Sequence, residues 1–116
     1  MSSTEARETI HATCVAWRDR AVLILGQSGS GKSALGLELM ALGCQLVADD
    51  RVILSRNGGT LIARCPDTIM GLIEARGIGI LSAAPAPPTA IRLVVDLDSE
   101  EAARLPPHRK ITRLGC

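Results

Sequence analysis

The chain has 116 residues, with 13 Lys or Arg against 12 Asp or Glu and a formal net charge of +1. That length suits one domain with one core, and 47% hydrophobic with 22% charged residues excludes a disordered tail or an acidic activation segment. One Trp with no Tyr or Phe leaves no aromatic platform for stacked bases, and the basic residues are spread rather than clustered, so nucleic acid is not an expected partner.

In chain order, residues 13–17 read as a short strand, 18–20 as a turn and 21–25 as a buried strand ending at Gly26. A Gly/Ser-rich segment follows, then a helix over 34–42 with Leu35, Leu39 and Leu42 as its apolar face and Gly43 as its terminator. Residues 45–48 form another strand, running into Asp49-Asp50. Runs at 52–54 and 60–62 flank Arg56-Asn57-Gly58-Gly59, which signals a hairpin. Residues 72–80 are extended and interrupted by glycine, 83–88 form a Pro/Ala loop, and 91–97 form the last clear strand. Ser99 is placed to cap a short helix running to Ala103.

Four cysteines (Cys14, Cys44, Cys65 and Cys116) include no C-x-x-C pair, and neither His stands at zinc-ligand spacing from one. No secretory pattern opens the chain, and no apolar run reaches the roughly 20 residues of a membrane helix. The expectation is a cytoplasmic protein with reduced, buried thiols and no membrane partner.

Gly26-Gln27-Ser28-Gly29-Ser30-Gly31-Lys32-Ser33 matches G-x-x-x-x-G-K-[ST] in full, between a buried strand and a helix. Glycines let backbone N–H groups close around phosphate oxygens, and the helix starting near Lys32 adds positive potential there. Lys32 is the residue to reach the β and γ phosphates, and the Ser33 hydroxyl is a hard oxygen ligand for Mg²⁺. This is the pattern of a nucleoside triphosphate site.

A second acidic group should follow a strand, to hold metal or take a proton. Asp96 closes Arg92-Leu93-Val94-Val95, which looks like an ordinary Walker B strand. Asp49 and Asp50 close Gln45-Leu46-Val47-Ala48, and carboxylates so paired repel, which fits one of them to accept a proton. Either position also reads as a solvated strand end. Pattern alone leaves the choice open.

The P-loop, then Leu46-Val47-Ala48-Asp49-Asp50-Arg51-Val52, then Ile73-Glu74-Ala75-Arg76-Gly77-Ile78-Gly79-Ile80 resemble the catalytic domain of HPr kinase/phosphorylase. His11 resembles the histidine that this family carries upstream of its P-loop. The likeness runs from about His11 to Leu97. It implies an α/β fold with a central mixed β-sheet, a P-loop and flanking helices, of the phosphoenolpyruvate carboxykinase-like kind. It further implies that Gly26 to Ser33 bind ATP, with Lys32 on the transferable phosphate and Ser33 on Mg²⁺. Asp50 would take the acceptor serine's proton, Asp49 would support it and His11 would tune it. Glu74 would help hold the metal, and Arg76 belongs to a signature loop shaping the cleft. The implied partner is the phosphocarrier HPr, and the longer members assemble as hexamers.

The resemblance is to the short form, one catalytic domain over residues 1–116 with no N-terminal domain. The family's arginine-bearing Pro-Gly loop, tied to phosphate-driven dephosphorylation, and its C-terminal helices are not among these residues. Two other readings stand beside the protein kinase: a small-molecule P-loop kinase, and a nucleotide-sensing regulatory module.

Overall fold

The computed structural model describes residues 7–27, 29–75, 78–83, 85–98 and 103–104. Its strands are β1 (Arg7–Ile10), β2 (Thr13–Trp17), β3 (Arg20–Leu25), β4 (Gln45–Ala48), β5 (Val52–Asn57), β6 (Thr60–Arg64), β7 (Leu72–Ala75), β8 (Gly79–Ser82), β9 (Thr89–Asp96) and β10 (Ala103–Arg104). One α-helix, α1 (Lys32–Ala41), follows β3, and a 3₁₀ turn covers Asp67–Ile69.

The main sheet has the order β1-β5-β6-β9-β3-β2-β4. Its pairs are antiparallel except β3 with β9, which run parallel, so the sheet is mixed. Strand β9 is long enough to serve two neighbours on one edge. Its first residues pair with β6 and its later ones with β10. The hairpin β7–β8 is a separate two-stranded sheet.

Alternation along β2 explains why the strand is buried on both faces. Cys14 and Ala16 join one apolar cluster, while Val15 joins another with Leu46 and Ile73. The sheet curls around the first cluster, which brings β4 opposite β6 although they are not neighbours in it. Small residues at Ala12, Ala16, Ala21, Ala48 and Ala63 line that interior, and an aliphatic core with no aromatic ring permits the tight curl. Helix α1 covers the second cluster from outside, through Leu37, Leu39 and Met40.

The helix departs from the sequence expectation in two ways. It begins at Lys32, two residues early, because Gly31 turns left-handed at φ 102° and the Leu35 N–H already bonds to the Gly31 carbonyl at 2.9 Å. Its packed face is Gly36, Leu37, Leu39 and Met40 rather than Leu35, Leu39 and Leu42, and Leu42 is 77% exposed. Leu42 is the C-cap, already turning out of the helix. Gly43 does terminate α1, in a Schellman arrangement: Gly43 N–H donates to Met40 O at 3.0 Å and Cys44 N–H to Leu39 O at 3.0 Å. Gly43 has φ 115°, and a Cβ there would lie 2.8 Å from Trp17 Cζ3.

Elsewhere the hairpin at 52–64 is longer than its sequence signal, with Asn57 opposite Thr60 across Gly58-Gly59. Strand β1 was not foreseen, since its Arg7-Glu8-Thr9-Ile10 lacks a clear alternation. The helix expected from Ser99 falls mostly on 99–102, outside the described residues, and Ala103 stands in β10 instead. One α-helix is present among the described residues, so the flanking layer there is thinner than the expected helices on the sheet. Cys14 and Cys65 are buried and Cys44 is half-buried, all as free thiols. No helix among the described residues is long and apolar enough to cross a membrane.

Candidate active site

The Gly/Ser-rich loop leaves the end of β3 and closes on itself. Ser30 N–H donates to Gln27 O at 2.9 Å, and Lys32 Nζ donates to the carbonyls of Gly26 at 2.9 Å and Gln27 at 3.0 Å. Lys32 is only 6% exposed, and among the described residues the acceptors that hold its Nζ in the loop are two neutral carbonyls. Gly26 has no room for a side chain: a Cβ would run into Ser30 Oγ and sit 3.3 Å from Leu97 Cβ. Ser30 Oγ is itself buried without a hydrogen-bond partner among the described residues. At Gly31, by contrast, a Cβ would meet nothing within 4 Å, so this glycine is required by its φ of 102° and not by crowding.

Strand β4 delivers the acidic pair to the same place. Asp49 is 6% exposed and is held by three donors from three elements. Its Oδ1 accepts Thr13 Oγ1–H at 2.7 Å from β2 and Ser33 Oγ–H at 2.7 Å from α1, and its Oδ2 accepts the Glu74 N–H at 3.0 Å from β7. The carboxylate therefore ties the P-loop helix to the sheet and to the β7–β8 hairpin.

Asp50, next along, is exposed where Asp49 is buried. It is a non-glycine residue at φ 75°, a conformation that Asp and Asn adopt more readily than most. Its Oδ1 lies 3.1 Å from His11 Nε2, its Oδ2 lies 3.8 Å from Arg51 Nε, and its side chain is 62% exposed. The Ala12 N–H donates to the Asp50 carbonyl at 3.3 Å, fastening the turn beside His11.

An open cleft of about 620 Å³ gathers these groups, lined among others by His11, Lys32, Ser33, Asp49, Asp50 and Glu74. Gly29 and Gly31 line it too, while Gly26, Gln27 and Ser30 lie behind, supporting the loop through Lys32 and Ser30 N–H. Ser28 and Arg76 lie outside the described residues. Asp96 is not in the cleft. It ends β9 opposite Leu25 and accepts the Asp98 N–H at 3.0 Å, which closes a turn. Between the two acidic positions, only the Asp49-Asp50 pair shares the cleft with the P-loop.

Two features were invisible in the one-dimensional pattern. Thr13 reads as an ordinary strand residue, and the part of Glu74 that grips Asp49 is its backbone, for which no side-chain signal exists.

The donor set fits a magnesium–nucleotide pair. Among the described residues no three His, Cys, Asp or Glu side chains gather into a metal cage. Mg²⁺ needs none, because it takes one or two protein oxygens and completes its shell with phosphate and water. Ser33 Oγ and Asp49 supply such oxygens beside a loop whose buried Ser30 Oγ and Lys32 Nζ meet no anionic partner among the described residues.

The family model described as "HPr Serine kinase C-terminal domain" matches residues 3–109. The HPr kinase/phosphorylase of Variovorax paradoxus (strain S110) is 49% identical over 76 residues, covering 65% of this chain and 24% of that protein. That of Cupriavidus necator is 47% identical over 76 residues with the same coverage. Each match thus spans about a quarter of the curated relative's length. The solved HPr(Ser) kinase/phosphatase of Coxiella burnetii superposes with a TM-score of 0.69 at 33% identity, over 77% of this chain and 58% of that one.

Proposed function

The chain belongs to the HPr serine kinase C-terminal domain family, and from that premise we infer that it transfers the γ-phosphoryl group of ATP, with Mg²⁺, to a serine of the phosphocarrier HPr. The observation that carries this reading is the division of labour in the acidic pair. Asp49 is buried and bonded to the P-loop Ser33, whereas Asp50 is exposed at the cleft mouth beside His11.

Gly26 to Ser33 would receive the triphosphate. Lys32 now spends its protons on two carbonyls, and a phosphate oxygen is the stronger acceptor, since charge-assisted bonds are roughly twice as strong as neutral ones. Ser33 and Asp49 would hold Mg²⁺, with Glu74 at the rim; the metal supplies charge neutralisation on the phosphate oxygens.

Asp50 accepts the proton of the acceptor serine as its oxygen forms the bond to phosphorus and ADP leaves with the bonding electrons. A serine hydroxyl is a poor nucleophile at neutral pH, and a positioned base contributes about 10²–10⁴ in rate. His11, 3.1 Å from Asp50, orients the carboxylate. Exposure of Asp50 is what a protein substrate requires, because a folded acceptor cannot enter a closed cavity. That favours a protein acceptor over a small molecule.

Phosphate-dependent reversal, in which Asp50 returns the proton, and a homo-oligomeric, cytoplasmic enzyme complete the proposal, and the three free thiols among the described residues suit a reducing compartment. The test is incubation of the chain with ATP-Mg²⁺ and purified HPr, read by intact mass. A gain of one phosphoryl group on an HPr serine supports the reading. Nucleotide binding without transfer favours the sensing module.

A further inference from the structure

The geometry points to Thr13 as a positioning residue that sets the direction of the Asp49 carboxylate, and through it the Ser33 hydroxyl, for a phosphate-bound divalent cation. The inference rests on the nucleotide reading above and adds to it a residue in the second layer of the site.

Thr13 is fully buried in β2, where an unpaired hydroxyl would be costly. Its proton goes to Asp49 Oδ1 at 2.7 Å, the same oxygen that receives Ser33 Oγ–H at 2.7 Å. These two donors play different parts. Ser33 lines the cleft and has lone pairs to offer a cation while its proton stays on Asp49. Thr13 also borders the cleft, but its side chain is fully buried and its hydroxyl proton is committed to Asp49, so it is the donor that holds Oδ1 in place.

The methyl group completes the device. A Cβ built on Gly36 would lie 3.0 Å from Thr13 Cγ2, so α1 rides directly on that methyl, three residues after Ser33. Glycine is intrinsically disfavoured in mid-helix, and this close approach is a physical reason for one here. Threonine has few χ1 rotamers. With its methyl against Gly36 and its hydroxyl on Asp49, one side chain sets both how near the P-loop helix stands and which way the carboxylate faces.

Two conservative variants separate these parts: Thr13→Val keeps the shape and removes the donor, whereas Thr13→Ser keeps the donor and removes the methyl. The first readout needs no ligand. Amide hydrogen exchange at Glu74, whose N–H is held by Asp49 Oδ2, is followed by NMR with the Leu23 amide in β3 as the reference for global opening. Thr13→Val is expected to speed Glu74 exchange at least about tenfold relative to Leu23, with Thr13→Ser within about threefold. Thr13→Ala is a second hydroxyl-free variant with the same expectation as valine.

The second readout is calorimetric affinity for ATP with and without Mg²⁺. Loss of the donor weakens the magnesium-dependent binding about 10–100-fold and leaves magnesium-free binding unchanged. Unaltered Glu74 exchange in Thr13→Val, or serine as damaging as valine, overturns the positioning role. So does altered exchange with normal magnesium-dependent affinity. A wild-type chain that binds no ATP-Mg²⁺ refutes the nucleotide reading, and the exchange result then decides by itself whether Thr13 orients Asp49.

Discussion

Replacing Asp50 by Asn separates chemistry from stability more cleanly than any other single change in the cleft. The side chain is 62% exposed, and its contacts to His11 and Arg51 lie at the surface, where even a full ion pair is worth about 0–1 kcal/mol. Asn keeps the size and tolerates the left-handed φ of 75°, so no strain is added. At about 3–6 °C of melting temperature per kcal/mol for a chain this long, the variant should melt within roughly 5 °C of wild type. The amide cannot take a proton, however, and transfer to HPr should fall about 10²–10⁴-fold, or about 3–5 kcal/mol of barrier. Nucleotide affinity should change by less than about tenfold, since Asp50 sits at the cleft mouth and away from the loop carbonyls. The assays are a circular-dichroism melt, calorimetry with ATP-Mg²⁺, and phosphoryl transfer by intact mass. Transfer within a few-fold of wild type would refute the general-base role. A much larger drop in melting temperature would show that Asp50 is a structural residue.

The neighbouring carboxylate should behave oppositely. Asp49→Ala strands the fully buried Thr13 hydroxyl, at a cost of about 1–3 kcal/mol, and its melting temperature should fall by roughly 5–15 °C. Gly43→Ala forces an L side chain to φ 115° with its Cβ 2.8 Å from the Trp17 ring, and thermal melts should show a loss of about 1–3 kcal/mol; an unchanged melt would refute the reading of this C-cap. Gly26→Ala drives a methyl into Ser30 Oγ, and calorimetry should show nucleotide affinity down by more than about tenfold with the fold retained. Burial pushes the Cys14 thiol far above its ordinary value of 9.0. The folded chain therefore keeps a proton that the unfolded chain releases as pH rises past about 8.5–9, and stability falls there by about 1.4 kcal/mol per pH unit. Urea midpoints at pH 8, 9 and 10 should show a fall in stability that is shallower in Cys14→Ala than in wild type, the remainder coming from Cys44 and Cys65, whose thiols burial also raises.

What the sequence determined by itself was local and chemical. A buried β-run, a glycine-rich turn and a helix start are adjacent in the chain, so the P-loop from Gly26 to Ser33 was legible as a motif, as were Gly43 as a helix stop and Gly58-Gly59 as a hairpin turn. Their physics is carried by backbone conformations that few residues other than glycine adopt easily. The family resemblance added the Asp49-Asp50 pair, which pattern alone had left level with Asp96. Tertiary structure decided what depends on partners distant in sequence. It buried Asp49 against Thr13, Ser33 and the Glu74 N–H and left Asp50 exposed beside His11, because the chain leaves β4 at Ala48 and turns left-handed at Asp50. It placed Leu42 in solvent and Gly36 against the sheet, because which helix face is buried depends on what stands beneath it. It brought Thr13 to Asp49 across 36 positions, and no periodicity along the chain encodes a hydrogen bond between two strands whose order is set only when the sheet assembles.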